Sequence, residues 1–547
     1  MKIHAYLSTA VALLFGTAAA MAQGSQPQVI VAGKLMGMSN FDITDMLRNS
    51  QYNYTFGTAR TAAMGGAFTS LGADLSSMNI NPAGLGMYQS SQFGITQAIT
   101  VTTTGTAHSG NGSLYTLDNT NTKYNLNNVG LALNVFQGSG TLTSFTIGFG
   151  YNKLANFNAL SGFGVNAERY GIGDVMINQL YDMQRAGITQ TDMNSSSEPF
   201  RNSNIFVNEW GSVLAYQTEF VFGEEDGNFT LDRSISANAT VNSFLKTRIR
   251  GGIDEYTISG GVNLKNILYL GATIGLQSIR YEETCWYDES YNNNEAAYPL
   301  NYLLYDQRTR YYGTGVNFKF GAVLQPIPRL RIGLAVHTPT FISLTQSYQA
   351  AMDAVYSDME TYKETPTNKF DYNFNSPTRL LTGISYTFGS FAILSVDYER
   401  AWYNGMRLTD VMESVKEAFK YDAKTYLTGS NILRAGLEVR PVPQWAIRAG
   451  GGYYGSMVRT RINDLSNAFS NPVPYESYNI TAGLGYTFGA CTFDLAYVYT
   501  HSKSNPFDLF YYQMITDAGP EEPIAQSGYF EQKTNRHMVA LTFGVKF

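Results

Sequence analysis

The sequence predicts an all-β transmembrane barrel of 14 antiparallel strands, with a small, mostly helical hatch inside the lumen. Three observations carry this reading. The chain ends on a strand whose two faces differ: Val539, Leu541, Phe543, Val545 and Phe547 on one side, Ala540, Thr542, Gly544 and Lys546 on the other. An apolar face ending in a terminal aromatic, opposite a small and lightly charged one, suits a wall between lipid and a watery lumen. The composition is the second observation: 44 % hydrophobic, 14 % aromatic, 39 Tyr, and only 15 % charged, against about a quarter charged in soluble domains. Yet after Gln23 no run approaches the roughly 20 apolar residues that a spanning helix needs. The third is a regular alternation of short turns and long connections along residues 92–547.

The N-terminus sets the compartment. Met1-Lys2, an apolar run through Leu7, Val11, Leu13, Leu14 and Phe15, and then Ala18-Ala19-Ala20-Met21-Ala22-Gln23 read as a signal peptide over 1–22, cut after Ala22. Gly24-Ser25-Gln26-Pro27 ends the segment at once, unlike a buried helix, and no Cys follows the cut to carry a lipid. Together with the alternating strands, this assigns a multi-pass protein of the bacterial outer membrane.

Residues 23–91 form an N-terminal extension and the hatch. Its core holds Thr58 to Phe68 and Ala73 to Gly86, where small residues and glycines allow tight helical turns to pack closely. Asp74 and Asn81 are placed to cap short helices, and Pro82 to occupy a first helical position. Gly65-Gly66 has no lysine or serine context of a phosphate loop.

The barrel strands follow. The first runs over 92–104. The pair 126–136 and 141–151 flanks Gln137-Gly138-Ser139-Gly140, and the pair 251–264 and 267–281 meets at Lys265-Asn266. Further pairs meet at Pro326-Ile327-Pro328, Gly389-Ser390, Pro441-Val442-Pro443 and Gly489-Ala490. With the final strand the count is fourteen, an even number that brings both barrel ends to one side. The alternate connections are long: 105–124, 152–250, 282–310, 340–376, 402–430, 455–477 and 502–536. Short periplasmic turns and long outer loops are the expected asymmetry. Segment 210–222 is read as structure inside the long second loop rather than as a strand.

Strand parity sends most charges inward. Lys319, Arg331, Asp397, Glu399, Arg434, Glu438, Arg440, Arg448, Asp494 and Lys546 alternate with apolar neighbours, and a charge facing lipid near the midplane would cost about 2–4 kcal/mol. Both signs occur, so these groups either pair across the lumen and brace a plug or contact an anionic part of a ligand.

Several function classes are disfavoured. A net charge of −6 gives no nucleic-acid footprint. Cys285 and Cys491 are two thiols that could be unrelated or form one bridge. Among the five His, His337, His501 and His537 show no paired-ligand spacing, so no metal and no cofactor are expected. Ser502 beside His501, with Asp494 on the same strand, is the nearest approach to a hydrolase triad, but adjacent strand residues point to opposite faces. The reading is not an enzyme.

Ala63-Met64-Gly65-Gly66-Ala67-Phe68, the following Ala73-Asp74, and Asn81-Pro82-Ala83-Gly84-Leu85 resemble the hatch signature of the FadL/TodX family of outer-membrane transport proteins, in the form common in Bacteroidetes. Ser376-Pro377-Thr378-Arg379-Leu380 to Asp397-Tyr398 resembles a later barrel segment of that family, and the resemblance covers about residues 50–547. It implies a fourteen-stranded barrel plugged by an N-terminal hatch. It also implies passive uptake of long-chain fatty acids or aromatic hydrocarbons, with a shift of the hatch opening a sideways route through the wall. Gly65, Gly66, Asn81, Pro82 and Gly84 are the hatch residues expected to govern gating. Phe157, Phe163, Phe206, Trp210 and Leu214 are candidates for an apolar groove in the outer loops, or for simple packing of those loops; Leu160, Tyr170, Ile172, Val175, Leu180, Met183 and Val207 belong to the same set. The extension 23–54 is longer than a minimal hatch leader, and the loop over 288–310 is polar.

The expected partners are a hydrophobic small-molecule ligand, outer-membrane lipid and lipopolysaccharide, and the barrel assembly machinery; the protein is expected to be a monomer and to bind no nucleic acid. Two other readings stand beside transport. One is a structural or adhesive surface barrel with a sealed plug. The other is uptake of haem or another amphiphile.

Overall fold

Fourteen antiparallel strands close into one barrel in the computed structural model, which describes residues 28–37, 43–110, 112–117, 119–459, 474–516, 519–520 and 524–547. The expected signal peptide lies outside the described residues. In chain order the first strands are β1 (Gln92–His108), β2 (Thr120–Gln137), β3 (Leu142–Asn156, carried on by Ala159–Glu168), β4 (Thr240–Leu264), β5 (Leu268–Asn292) and β6 (Leu300–Ile327). β7 joins Leu330–His337 to Phe341–Tyr356, and β8 joins Asn368–Asn375 to Arg379–Phe388. The rest are β9 (Ala392–Trp402), β10 (Gly429–Val442), β11 (Trp445–Tyr454), β12 (Pro474–Phe488), β13 (Cys491–Ser504) and β14 (Phe530–Lys546). β14 pairs with β1 from Gln92↔Lys546 to His108↔Phe530 and leaves the sheet without an edge.

The outward face shows why these segments fold as wall. On β11, Trp445, Ile447 and Tyr453 are exposed, and beside them on β12 lie Tyr486, Leu484, Ile480 and Tyr478. Aromatic rings end each row and aliphatic groups fill the middle. From Trp445 to Tyr453 is eight residue steps, about 26 Å along a tilted strand, close to the height of an outer-membrane apolar band.

The short turns fall within a residue or two of their expected places. The long connections are shorter than expected, because the strands continue into them. β5 runs on to Asn292 and β6 begins at Leu300, while Phe341–Tyr356 and Asn368–Asn375 occupy most of 340–376. Beyond the lipid the outward face turns polar while inward residues such as Tyr287, Leu303 and Tyr305 stay buried, so the apolar outer row that marks a wall strand fades while backbone pairing does not. Trp210–Gln217 is helical, as expected of structure within the second loop.

The hatch divides in two. Its lower part, the disc, spans 54–88 near the periplasmic turns and contains helices α2 (Ala59–Ala63) and α3 (Ser77–Ile80) and the 3-10 turn Pro82–Met87. The Thr58 side chain caps α2, and Asn81 caps Pro82–Met87 by accepting the Ala83 N–H at 3.1 Å, with Pro82 at the first position. Asp74 does not cap a helix; its carboxylate takes the Ser76 N–H (2.9 Å) and the Thr58 hydroxyl (2.8 Å), tying two turns together.

The upper part of the hatch, a strap whose described residues are 28–37 and 43–53, falls in the N-terminal extension, and its pairing with an outer loop has no signal in the sequence. Gln28–Ala32 pairs with Tyr511–Thr516 in the outer loop between β13 and β14. The chain then descends through helix α1 (Ile43–Arg48) to the disc. The N-terminal segment therefore threads the whole lumen, from outer loops to the periplasmic end.

Candidate functional site

The disc is sealed to the wall by missing side chains. Where strands pass the disc they carry glycine: a β-carbon at Gly271 would fall on Pro82, at Gly333 on Thr69, and at Gly450 within 2.5 Å of the Met64 carbonyl carbon. The disc reciprocates at Gly65, where a β-carbon would stand 2.6 Å from the Gly451 nitrogen. Gly65 and Gly66 also carry φ of 66° and 79°, a conformation that turns the chain after α2 and suits glycine.

Wall side chains satisfy the disc's backbone in turn. Thr542 Oγ1 accepts the Ala59 N–H (2.7 Å), Asp397 accepts that of Thr69 (2.7 Å), and the Thr273 hydroxyl donates to Met78 O (3.0 Å). Asn81 Nδ2 donates to Thr69 O at 2.6 Å, with the carbonyls of Ala322 and Leu334 at 3.3 and 3.4 Å.

Buried charges complete the fastening. Glu399 accepts Arg379 at 2.8 Å and Arg434 at 2.7 Å, and those guanidinium groups lie over the rings of Tyr52 and Tyr54. Glu438 joins Arg60 of the disc (3.0 Å) to Arg448 (2.7 Å), which also holds Asp494 (2.6 Å). Lys319 pairs with Glu255 and donates to Asn79 at 2.6 Å. Burial pushes the Tyr54 phenol well above its ordinary value, with nearby Glu399 acting in the same direction. Most of the inward charges of the sequence reading thus meet one another and brace the plug, while Arg331 and Lys546 form no ion pair among the described residues.

Above the disc the lumen holds two neighbouring cavities, of about 130 and 180 Å³. Gln51, Asn156, Ser502 and Arg536 line both. The first also has Phe56, Leu154, Ile432 and Met457 in its wall, the second Phe157, Ile249 and Tyr281. These apolar and aromatic groups stand among a mostly polar lining, which in the second cavity includes Lys34, Arg48, Lys503 and Arg536. Strap cations facing this space are matched: Lys34 pairs with Glu283, and Arg48 with Asp45 at 2.7 Å. Arg536 is different. Its guanidinium donates to Thr102 Oγ1 at 3.3 Å and forms no ion pair among the described residues.

The wall beside these cavities has a fork. β2 and β3 pair from Gln137↔Ser144 up to Asn128↔Asn152 and then separate. On the β2 side a bulge leaves Asn127 out of register with β1. On the β3 side Leu154, Ala155, Asn156, Phe157 and Asn158 are all buried, so alternation is lost and the strand bends into the lumen. The Leu154 carbonyl there accepts the N–H of Asn53 in the strap at 2.9 Å. Higher up, Ser113–Leu117 pairs with β3's continuation and closes the wall again. The result is a bounded window. Tyr124 at its rim lies in register with Ile99, which faces Val539, and all three side chains are exposed on the outer face. It therefore opens at the level of apolar wall. Asn127 Oδ1, Asn128 Oδ1, Asn152 Nδ2 and Asn156 Nδ2 are buried without a partner around it.

Of the loop residues singled out from sequence, Phe157 lines a lumenal cavity. Phe163, Trp210 and Leu214 share one buried cluster in the outer cap, and Phe206 is 45 % exposed on its surface. Gly65, Gly66, Asn81, Pro82 and Gly84 all belong to the disc. His501 stacks against the outward Tyr478, with ring centroids 5.2 Å apart, while Ser502 lines the cavities and Asp494 serves Arg448. Those three groups do not meet. Cys285 and Cys491 are separate free thiols. Arg536, Asn127 and the inward bend at Leu154 escaped the sequence reading. Arg536 shares the inward parity of Met538, Ala540 and Thr542, and was hidden by ending the last loop at 536.

No family model and no curated protein matches this chain. Among solved structures it is similar to CymD, a monoaromatic hydrocarbon channel, with 13 % identity and a TM-score of 0.46 over 91 % of this chain and 99 % of that one. A Pseudomonas aeruginosa FadL homologue gives 12 % identity and a TM-score of 0.49, over 91 % and 98 %. The Pseudomonas putida toluene transporter TodX gives 11 % and 0.45, over 90 % and 98 %.

Proposed function

We propose that the protein is a passive outer-membrane conduit for an anionic amphiphile with a long apolar part, such as a fatty acid. The molecule enters through the outer loops, lodges its charged end at Arg536 and its tail against Phe157, Leu154 and Tyr281, and leaves sideways through the window between β2 and β3. Arg536 carries the reading. Arg536 lines both cavities and forms no ion pair among the described residues, a costly state for a guanidinium held partly out of water, and an anionic headgroup would supply the missing charge. The sideways exit follows from the solute's own preference: release into lipid keeps the tail out of water. In this reading the disc stays seated and the strap moves. Asn53 is the point to release, since its N–H occupies the Leu154 carbonyl at the window.

The test compares uptake of labelled palmitate and labelled toluene in cells with equal surface protein. Arg536→Gln should lower palmitate uptake at least severalfold and leave toluene nearly unchanged. Asn156→Trp, which fills the inner mouth of the window, should lower both. If the unaltered protein moves neither solute, the sealed structural barrel becomes the better reading. The strap that threads the lumen favours that second reading.

A further inference from the structure

Above the aromatic rows the outer face of the wall is uneven in charge. On β4, β5, β6 and β8 the outward positions carry Arg248, Arg250, Arg280, Arg308, Arg310 and Lys369. The strand register brings them together. Arg250 faces Glu282, which faces Arg310; Arg310 faces Ser347, which faces Lys369. Arg248 and Arg308 flank Thr284 one outward step higher, and Arg280 lies between Gly252 and Tyr312 one step lower. Directly paired strands are about 4.8 Å apart and outward steps about 6.7 Å, so the arginines cover a patch three strands wide and three rows tall, with Lys369 at its side.

Two carboxylates share the patch. Glu282 is held by Arg308 at 2.7 Å and by Arg310 at 3.8 Å, and Asp371 accepts the Thr345 hydroxyl at 2.5 Å. Asp306 stands one outward step above Arg308, and six cations against these three anions still leave a positive excess. Around the rest of the wall the outward charges at this level are fewer: Arg400 bonds Asn431, Lys503 faces Lys533 and pairs with Glu531, and β1 carries none between Phe93 and Ala107.

Height identifies the occupant. Leu276 and Val316 are the last aliphatic residues below the arginines in their rows, with Tyr312 at the level of Arg280 and Trp286 and Leu304 above the patch; Arg280 and Arg310 stand four and six residues beyond Leu276 and Val316, about 13 and 20 Å along strands tilted by some 40°. That places the guanidinium groups just outside the hydrocarbon, at the charged layer of the outer leaflet. Planar guanidinium forks suit phosphate oxygens. We propose that this patch on β4–β8 is a binding surface for the phosphorylated sugar headgroup of lipopolysaccharide, so that one side of the barrel carries a bound lipid and the other does not. This inference is independent of the transport reading, because the patch faces away from the lumen.

The experiment measures lipopolysaccharide retained by the folded full-length protein after extraction in mild detergent, by native mass spectrometry. Replacing Arg250, Arg280, Arg308 and Arg310 with Ser should reduce retention by about tenfold or more, because each removed cation withdraws attraction to the anionic headgroup. Arg400→Ser with Lys503→Ser should leave it unchanged. Should the fourfold variant fail to fold, the unaltered protein answers the question through binding to phosphatidylcholine vesicles doped with lipid A or with dephosphorylated lipid A. Preference for the phosphorylated form is expected. Equal binding to both, wild-type retention by the fourfold variant, an equal loss in the control variant, or displacement by millimolar inorganic phosphate or by a soluble sulfated polysaccharide at equal charge would overturn the proposal.

Discussion

Between Tyr54 and Tyr88 the hatch meets the wall through glycines and buried ion pairs, whereas the strap pairs its upper end with an outer loop and reaches the wall mainly through its own backbone, with the Leu35 and Ser50 carbonyls accepting from Gln307 and Arg379 and the Asn53 N–H donating to Leu154, and through one ion pair, Lys34–Glu283. The disc's partners are strands whose register is fixed by closure of the entire barrel, so moving the disc strains the wall. The strap's upper partner is the loop between β13 and β14, which can open while the wall stays closed. Two segments in one lumen thus differ in what their release would disturb. The lesson is that a plug need not move as a unit.

The comparison can be broken most sharply at Glu399. Glu399→Leu leaves Arg379 and Arg434 buried without their shared carboxylate, at a cost of about 3–5 kcal/mol. The urea midpoint of the folded, heat-modifiable form should fall well below wild type, and an unchanged midpoint would refute the bracing role. Gly271→Val comes next. Its side chain collides with Pro82, an overpacking worth about 1–3 kcal/mol, and should unseat the disc and raise ion conductance in planar bilayers. Gly260→Val is the control, since the nearest atom to its β-carbon is Phe145 Cε2 at 3.7 Å. If the two variants behave alike, the glycine seal is not what holds the disc.

Asn81→Ala should cost about 0.5–2 kcal/mol for the lost cap, seen in the same urea titration; any smaller change would mean that Pro82 alone orders the turn. Removing residues 28–48 should leave assembly intact while making both cavities accessible to a thiol reagent at an Asn156→Cys probe. Loss of the folded barrel would show that strap and disc are one unit after all.

The smallest expected effect concerns pH. Asp508 sits in the loop that receives the strap, its carbonyl accepting the Lys34 N–H at 2.9 Å and both carboxylate oxygens buried without a partner. Burial pushes its carboxyl up from 3.8 to about 7. An acid whose pKa is raised in the docked state is penalised once it must ionise, so docking weakens as pH rises from about 4 through 7. Limited proteolysis of the strap should be faster at pH 8 than at pH 5.5, relative to a model substrate, and Asp508→Asn should remove the difference.

Much of the wall was legible because lipid imposes a simple rule: period-2 alternation, with charges on the inner side. Turns such as Lys265-Asn266 and Gly489-Ala490 were equally plain, and Asn81-Pro82 announced its cap. Where the rule stops applying, so does legibility. β5 beyond Tyr281 and β6 before Arg310 carry Glu282, Thr284, Arg308 and Asp306 outward, and read as loop although their backbones are paired. The window depends on a bulge at Asn127 and a bend at Leu154, which are properties of register between strands and leave no pattern within either. The strap's destination is set by a pairing nearly 500 residues away, Gln28 with Ile515, and no local signal could have named it.

That pairing also orders the assembly of the protein in time. The strap lies on the far side of the disc from the periplasmic end where the chain enters the barrel at Gln92. Once the disc is seated among the glycines, no path remains by which residues 28–37 could be drawn up to the outer loops. The N-terminal end must therefore already be inside when the disc docks, and the disc must be in place, or on its way, when β14 zips against β1. The last strand to be made is the one that locks in the first residues made. Closing the wall and capturing the thread become a single event, and a chain that closes too early will be a barrel with its thread left outside.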